Sequence, residues 1–191
     1  MDKEKSIKES IFIRRINGKY CRSRIMKIKE VYTLDKTEQY LVETIATLRH
    51  QNKINTGWDG HKVVNKKSDL DLNICGFGGE FIFCRENNLF PDFTIGNTSK
   101  ILKTDNYDAV WRNKTIDIKV NRNYNNPFMI PQYAKTDCEL FALFSCIFPR
   151  YRFEGFCTNQ MIFKEENLRQ TRVMAYVLEK ENLLSINDLS F

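Results

Sequence analysis

Four side chains in the middle of the chain have the types and spacing to hydrolyse a phosphodiester: Glu80, Asp108, Asp117 and Lys119. At neutral pH that reaction needs a cation to stabilise charge on the phosphate, a water made nucleophilic, and ligands that hold the metal. Hard carboxylate oxygens suit Mg²⁺, which keeps several waters and often takes only one or two carboxylates, and Mn²⁺ accepts the same donors. Asp108 and Asp117 are separated by eight residues, so a hairpin can bring them together. The Ile118 carbonyl offers a further oxygen. Lys119 stands two residues beyond Asp117, and on a strand both project from one face. Its ammonium can then lie beside the attacking water or the scissile phosphate, orient that water and favour its deprotonated form.

These residues need particular elements to hold them. Tyr107 to Trp111 and Thr115 to Val120 read as antiparallel strands joined by a tight turn at Arg112-Asn113-Lys114. Along the second strand Ile116, Ile118 and Val120 share one face, and Thr115, Asp117 and Lys119 the other. Ser68 to Asn88 has helical start signals and carries Glu80 directly after Gly-Phe-Gly-Gly. Each helical glycine is unfavourable by about 1 kcal/mol relative to alanine, so three in four residues mark close backbone packing or a kink, unless a loop separates two short helices. Pro91 ends the element. Upstream, Tyr40, Leu41, Ile45 and Leu48 recur at helical spacing over Lys36 to Lys53, with Asp35 at the N-cap. Asn55 to Lys67 is a polar connection. Downstream, Leu140 to Phe148 reads as a buried strand, Tyr151 to Phe156 as its antiparallel neighbour, and Asn159 to Leu168 as the start of a helix. Near the N-terminus Asn17-Gly18 separates two apolar runs, a strong hairpin signal. Arg14, Arg15, Lys19, Arg22 and Arg24 would crowd its tip, with Tyr20 available for stacking. Such a ribbon suits a nucleic-acid backbone, or it is an edge hairpin kept soluble by charge.

The order helical Glu80, Asp108, then Asp117-Ile118-Lys119 resembles the signature of the PD-(D/E)xK nucleases, a superfamily of restriction and repair enzymes. The runs GFGGEFIFCRENNLFPDFTI, NYDAVWRNKTIDIKV and ELFALFSCIFPRYRFEGF are similar to small phage-encoded members, a likeness covering roughly residues 73 to 165. Tyr107 stands where the motif's proline would be, a position that does no chemistry. The resemblance implies an α/β fold with a restriction-endonuclease-like core: a mixed sheet of four or five strands with helices on both faces, plus the N-terminal basic hairpin. It implies Mg²⁺-dependent cleavage of DNA by an endonuclease, with Glu80, Asp108, Asp117 and the Ile118 carbonyl around the metal and Lys119 at the water. Lys135, in a loop rich in Asn and Pro, is a further candidate for phosphate contact or a plain surface lysine. Trp58, Trp111 and His61 are lesser candidates, with Trp111 expected in the core. Neither Glu86 nor Asp92 is assigned to the site.

At 191 residues the chain suits one nuclease domain over 36–191 behind a basic arm over 1–35. Net charge is +6, and residues 1–29 hold ten Lys/Arg against three acids, so the excess is N-terminal. That placement suits DNA as partner or a solvated basic tail. No apolar run approaches the roughly 20 residues that span a bilayer, and no secretory stretch opens the chain, which points to the cytoplasm, or the host cytoplasm for a viral protein. Lys-, Asn-, Ile- and Phe-rich composition fits an AT-rich viral genome. Six scattered cysteines without a C-x-x-C pair read as reduced, buried thiols rather than a zinc site. No organic cofactor is expected; a homodimer is compatible with the class. Two other readings use the same residues: a non-catalytic nucleic-acid-binding or inhibitory protein with this fold, and a nuclease directed at RNA.

Overall fold

The computed structural model describes residues 12–16, 19–23, 26–55, 69–96 and 107–189, the first two stretches by backbone alone. There β1 (Phe12–Ile16) and β2 (Lys19–Ser23) pair antiparallel, with Ile16 opposite Lys19. The expectations for Arg14, Arg15, Lys19, Arg22 and Arg24 as phosphate contacts, and for Trp58 and His61, fall outside the described side chains.

A mixed five-stranded sheet forms the centre, in the order β3 (Val31–Thr33), β8 (Arg150–Thr158), β7 (Leu140–Ile147), β5 (Lys114–Asn121), β4 (Ala109–Trp111). Only the β5–β7 pair is parallel. Because β3 pairs with β8 and Met26 is buried in the core, the boundary expected at residue 35 falls after the sheet's first strand.

Side chains alternate along the buried strand β7, and so feed two cores. Ala142 and Phe144 join the core beneath α1 (Lys36–Asn55) and α2 (Asp69–Glu86), whereas Phe141 and Leu143 join a second core on the opposite face. The resemblance implies helices on both faces, but among the described residues no long helix covers the second face. It carries a small antiparallel sheet, β6 (Phe128–Pro131), β10 (Met174–Leu178) and β9 (Leu168–Gln170), together with the single-turn helix α3 (Asn159–Ile162). The helix expected over Asn159 to Leu168 stops after that turn. The buried Asn167 donates its amide to the carbonyls of Met161 and Ile162 at 2.8 and 3.1 Å, closing the turn's end.

Asp35 caps α1 in a reciprocal box with Glu38, each side chain accepting from the other's amide at 2.8 and 2.9 Å. The buried row of α1 is Val42 and Ala46, flanked by Leu41 and Ile45, while Tyr40 is 72% exposed and Leu48 also faces solvent. α2 runs unbroken through its glycines, which removes the alternative of two short helices. Among the described residues no helix is long and apolar enough to cross a membrane.

Candidate active site

The β4–β5 hairpin closes on a two-residue turn, Arg112-Asn113, both with positive φ (52° and 64°). Trp111 therefore faces Lys114, and Ala109 faces Ile116. This left-handed pair matches the strand twist as a primed turn requires. The Asp108 amide donates to the Ile116 carbonyl at 2.9 Å, and the Asp108 Oδ2 accepts from the Ile118 amide at 2.6 Å, so the carboxylate caps β5 where β4 ends. Since the amide and carbonyl of one strand residue leave by the same edge, the Ile118 carbonyl also points to the Asp108 side. At its start β5 is locked to β7: Thr115 Oγ1 accepts from the Glu139 amide, and the Thr115 amide donates to Glu139 Oε2, both at 3.0 Å. The expected alternation holds, with Ile116 and Ile118 in the helix-side core. Asp117 and Lys119 share the other face and form an ion pair of 2.7 Å. The Asp117 side chain is 11% exposed and that of Lys119 41%, so the acid is set inward and the ammonium toward solvent.

Glu80 arrives from α2, and the glycines before it permit the approach. A Cβ on Gly78 would strike the Tyr151 hydroxyl, and one on Gly79 would strike the Val120 side chain of β5. Helix and strand thus meet at the residue preceding Glu80. The Glu80 Oε2 lies 3.5 Å from Arg49 Nη1 of α1. Arg49 does more: it donates to the carbonyls of Asp92 (2.6 Å) and Thr94 (3.1 Å), reaches the Asp92 carboxylate at 3.7 Å, and lies over the Phe77 ring at 4.6 Å.

The carboxylates sense one another. Burial raises Glu80 above the ordinary carboxylate range; Arg49 opposes this, Asp117 adds repulsion and Lys119 relieves part of it. Asp108 is held well above that range, first by burial and then by Glu80 and Asp117, with the Ile118 amide and Lys119 acting against the shift. Their field extends to Cys84, whose thiol is pushed up to about 12 by burial and then by Glu80 and Asp108, so it stays protonated. Among the described residues no group of three His, Cys, Asp or Glu is arranged as it stands to hold a metal ion. Each acid instead has a protein partner: Lys119 for Asp117, the Ile118 amide for Asp108, Arg49 for Glu80. The donor chemistry is that of a hard divalent cation, all oxygen and net negative.

Of the other candidates, Trp111 is core, stacked on Phe156 at 5.2 Å. Lys135 holds its ammonium over the rings of Phe163 and Tyr176, at 5.4 and 5.8 Å, beside the small sheet. Glu86 pairs with Arg85 at 2.9 Å. Asp92, not assigned to the site from sequence, enters it through Arg49. Arg49 itself carries no local signal, because its partners lie 31 to 45 positions away. No protein-family model, curated protein or solved structure matches the chain.

Proposed function

We propose that this protein is a metal-dependent nuclease of the PD-(D/E)xK type that hydrolyses phosphodiester bonds in DNA. One observation carries the reading: Asp117 and Lys119 in contact on one face of β5, with Asp108 at the adjoining strand end and Glu80 delivered from α2. Three mutually repelling carboxylates are costly unless positive charge stands among them. Bound Mg²⁺ would stabilise charge on the phosphate and lower the pKa of a coordinated water. Asp117 and Asp108 would supply its ligands, with Glu80 reaching it directly or through water and the Ile118 carbonyl offering a neutral oxygen. With Asp117 so engaged, the Lys119 ammonium would be released to orient the attacking water beside the scissile phosphate. Arg49 keeps Glu80 directed at the centre. The N-terminal excess of Lys and Arg supports a polyanionic substrate.

The test is cleavage of supercoiled and single-stranded DNA, and of RNA, by the purified chain with Mg²⁺, Mn²⁺ or EDTA, beside Lys119→Ala. Metal-dependent cutting of DNA that Lys119→Ala loses is the expected result. Binding without cutting in every metal would replace the enzyme by a non-catalytic nucleic-acid-binding protein, and preferential cutting of RNA would change the substrate class.

A further inference from the structure

Phe90 is 85% exposed, more than any other large apolar side chain among the described residues. A single exposed aromatic signals little by itself. Phe90 differs in belonging to an aromatic ladder. Its ring meets Phe93 edge-on at 5.3 Å, and Phe93 meets the buried Phe77 of α2 edge-on at 6.1 Å. Phe77 lies one helical turn before Glu80, on the same side of α2. The backbone on either side of Phe93 is pinned by Arg49, the guanidinium that also reaches Glu80. A chain of contacts therefore links the ring to the site acid: Phe90 to Phe93, Phe93 to Phe77, and Arg49 to both Phe77 and Glu80.

We propose that Phe90, supported by Phe93, is a stacking platform for an unpaired nucleobase of the substrate strand, so that the site takes single-stranded or locally opened nucleic acid. The class of ligand follows from the chemistry. A ring face offers stacking to any base irrespective of sequence, but only to a base whose own face is free, which a closed duplex denies. Arg49 lies at the ladder's base, and Lys53 follows one turn later on the same face of α1, where it donates to Asn73 at 3.3 Å. This inference rests on the nuclease reading for the identity of the ligand.

Equilibrium binding of a mixed-sequence single-stranded DNA oligonucleotide and its duplex, with Ca²⁺ in place of Mg²⁺, tests it in the full chain. Phe90→Ala and Phe90→Leu should each weaken single-strand binding roughly 5- to 150-fold and duplex binding much less. Leucine keeps apolar area but lacks the ring face, so it separates stacking from general apolar contact. Phe90→Trp should retain affinity, with indole fluorescence quenched as the oligonucleotide is added. Wild-type single-strand affinity in Phe90→Ala or in Phe90→Leu overturns the proposal, as does a wild-type chain that binds no single strand. A change of oligomeric state in Phe90→Ala with DNA affinity intact overturns it in favour of self-association. Failure of the nuclease reading shows elsewhere, as absence of metal-dependent cutting by the wild-type chain, whatever Phe90 does to binding.

Discussion

Adding one methyl group at Gly79 tests whether the close approach of α2 to β5 is what places Glu80. In the helix interior alanine is favoured over glycine by about 1 kcal/mol, so a substitution judged by propensity alone should stabilise the protein. At Gly79 the new Cβ would collide with the Val120 side chain, and inserting a carbon into a packed contact costs about 1–3 kcal/mol. The net expectation is between no change and a loss of about 2 kcal/mol. Gly76 provides the control on the same helix, because a Cβ there has nothing within 4 Å. Gly76→Ala should therefore gain the full propensity term, and the two variants should differ by about 1–3 kcal/mol. For a chain of this size that is a separation of roughly 2–12 °C in melting temperature, read by thermal denaturation and checked by urea titration. The catalytic effect should be larger than the stability effect. Relief of the clash moves α2 away from β5 and carries Glu80 from Asp117 and Lys119, and a displacement near 1 Å can cost about 100-fold in rate. Equal melting temperatures for the two variants, or full activity in Gly79→Ala, would refute the argument that glycine packing positions Glu80.

Lys119→Ala should keep the fold, since the side chain is 41% exposed, while kcat for DNA cleavage falls by about 10²–10⁴; circular dichroism beside a cleavage assay checks both. Asp108→Asn keeps an acceptor for the Ile118 amide but removes a charge that burial and its neighbours disfavour. Because the folded carboxyls of Asp108 and Glu80 sit above their unfolded values, the native state holds the extra protons. Their contribution to stability is thus fully present below the ordinary carboxylate pKa and is lost as pH rises through the raised values. In EDTA the variant should match wild type near pH 4 and melt above it at pH 7–8. Mg²⁺ should stabilise the wild type by about 2.7 kcal/mol at a hundred times its Kd and the variant much less, as calorimetry would show. Glu154→Leu should destabilise by about 3–5 kcal/mol in urea, because the buried carboxylate holds Lys180 at 2.9 Å and Arg152 at 2.9 Å, and its loss strands both cations.

What could be read from the sequence was what is local. The β4–β5 hairpin depends on a two-residue turn and period-two alternation, and both are written in adjacent positions. The α1 cap is likewise complete within Asp35 and Glu38. The glycines of α2 announced a close approach but not its partner, for Val120 and Tyr151 are brought in by the sheet. Where the reading failed, tertiary contact decided. Counting large residues on α1 favoured Tyr40 and Leu48, yet the row that meets α2 is Val42 and Ala46, whose small side chains let two helices pack closely. The sheet of β6, β9 and β10 has strands of three to five residues, with β6 joined to β10 from a distant part of the sequence, and such segments carry too little pattern to be seen alone.

The candidate site violates the rules the rest of the fold obeys, and that is the strongest physical argument for its purpose. Elsewhere a buried charge is matched: Glu154 is held below the ordinary carboxylate range because hydrogen bonds from Ser145, Lys180 and Arg152 outweigh the effect of burial. Around Asp108 the balance runs the other way, with two further acids adding to burial and only an amide and a lysine opposing them. Asparagine at 108 or glutamine at 80 would fill the same volume without that cost. The counter-groups present are also open to exchange. Arg49 reaches Glu80 only at 3.5 Å while binding two carbonyls more closely, and the Lys119 side chain is 41% exposed. Such partners can be exchanged for a divalent cation and a phosphate, which supply stronger positive charge and a better acceptor for the lysine. A protein that only bound DNA with this fold would be more stable without the Asp108 and Glu80 charges, so a rise in stability with Mg²⁺, and its loss in Asp108→Asn, separates a site shaped to hold a metal from one that merely retains the fold.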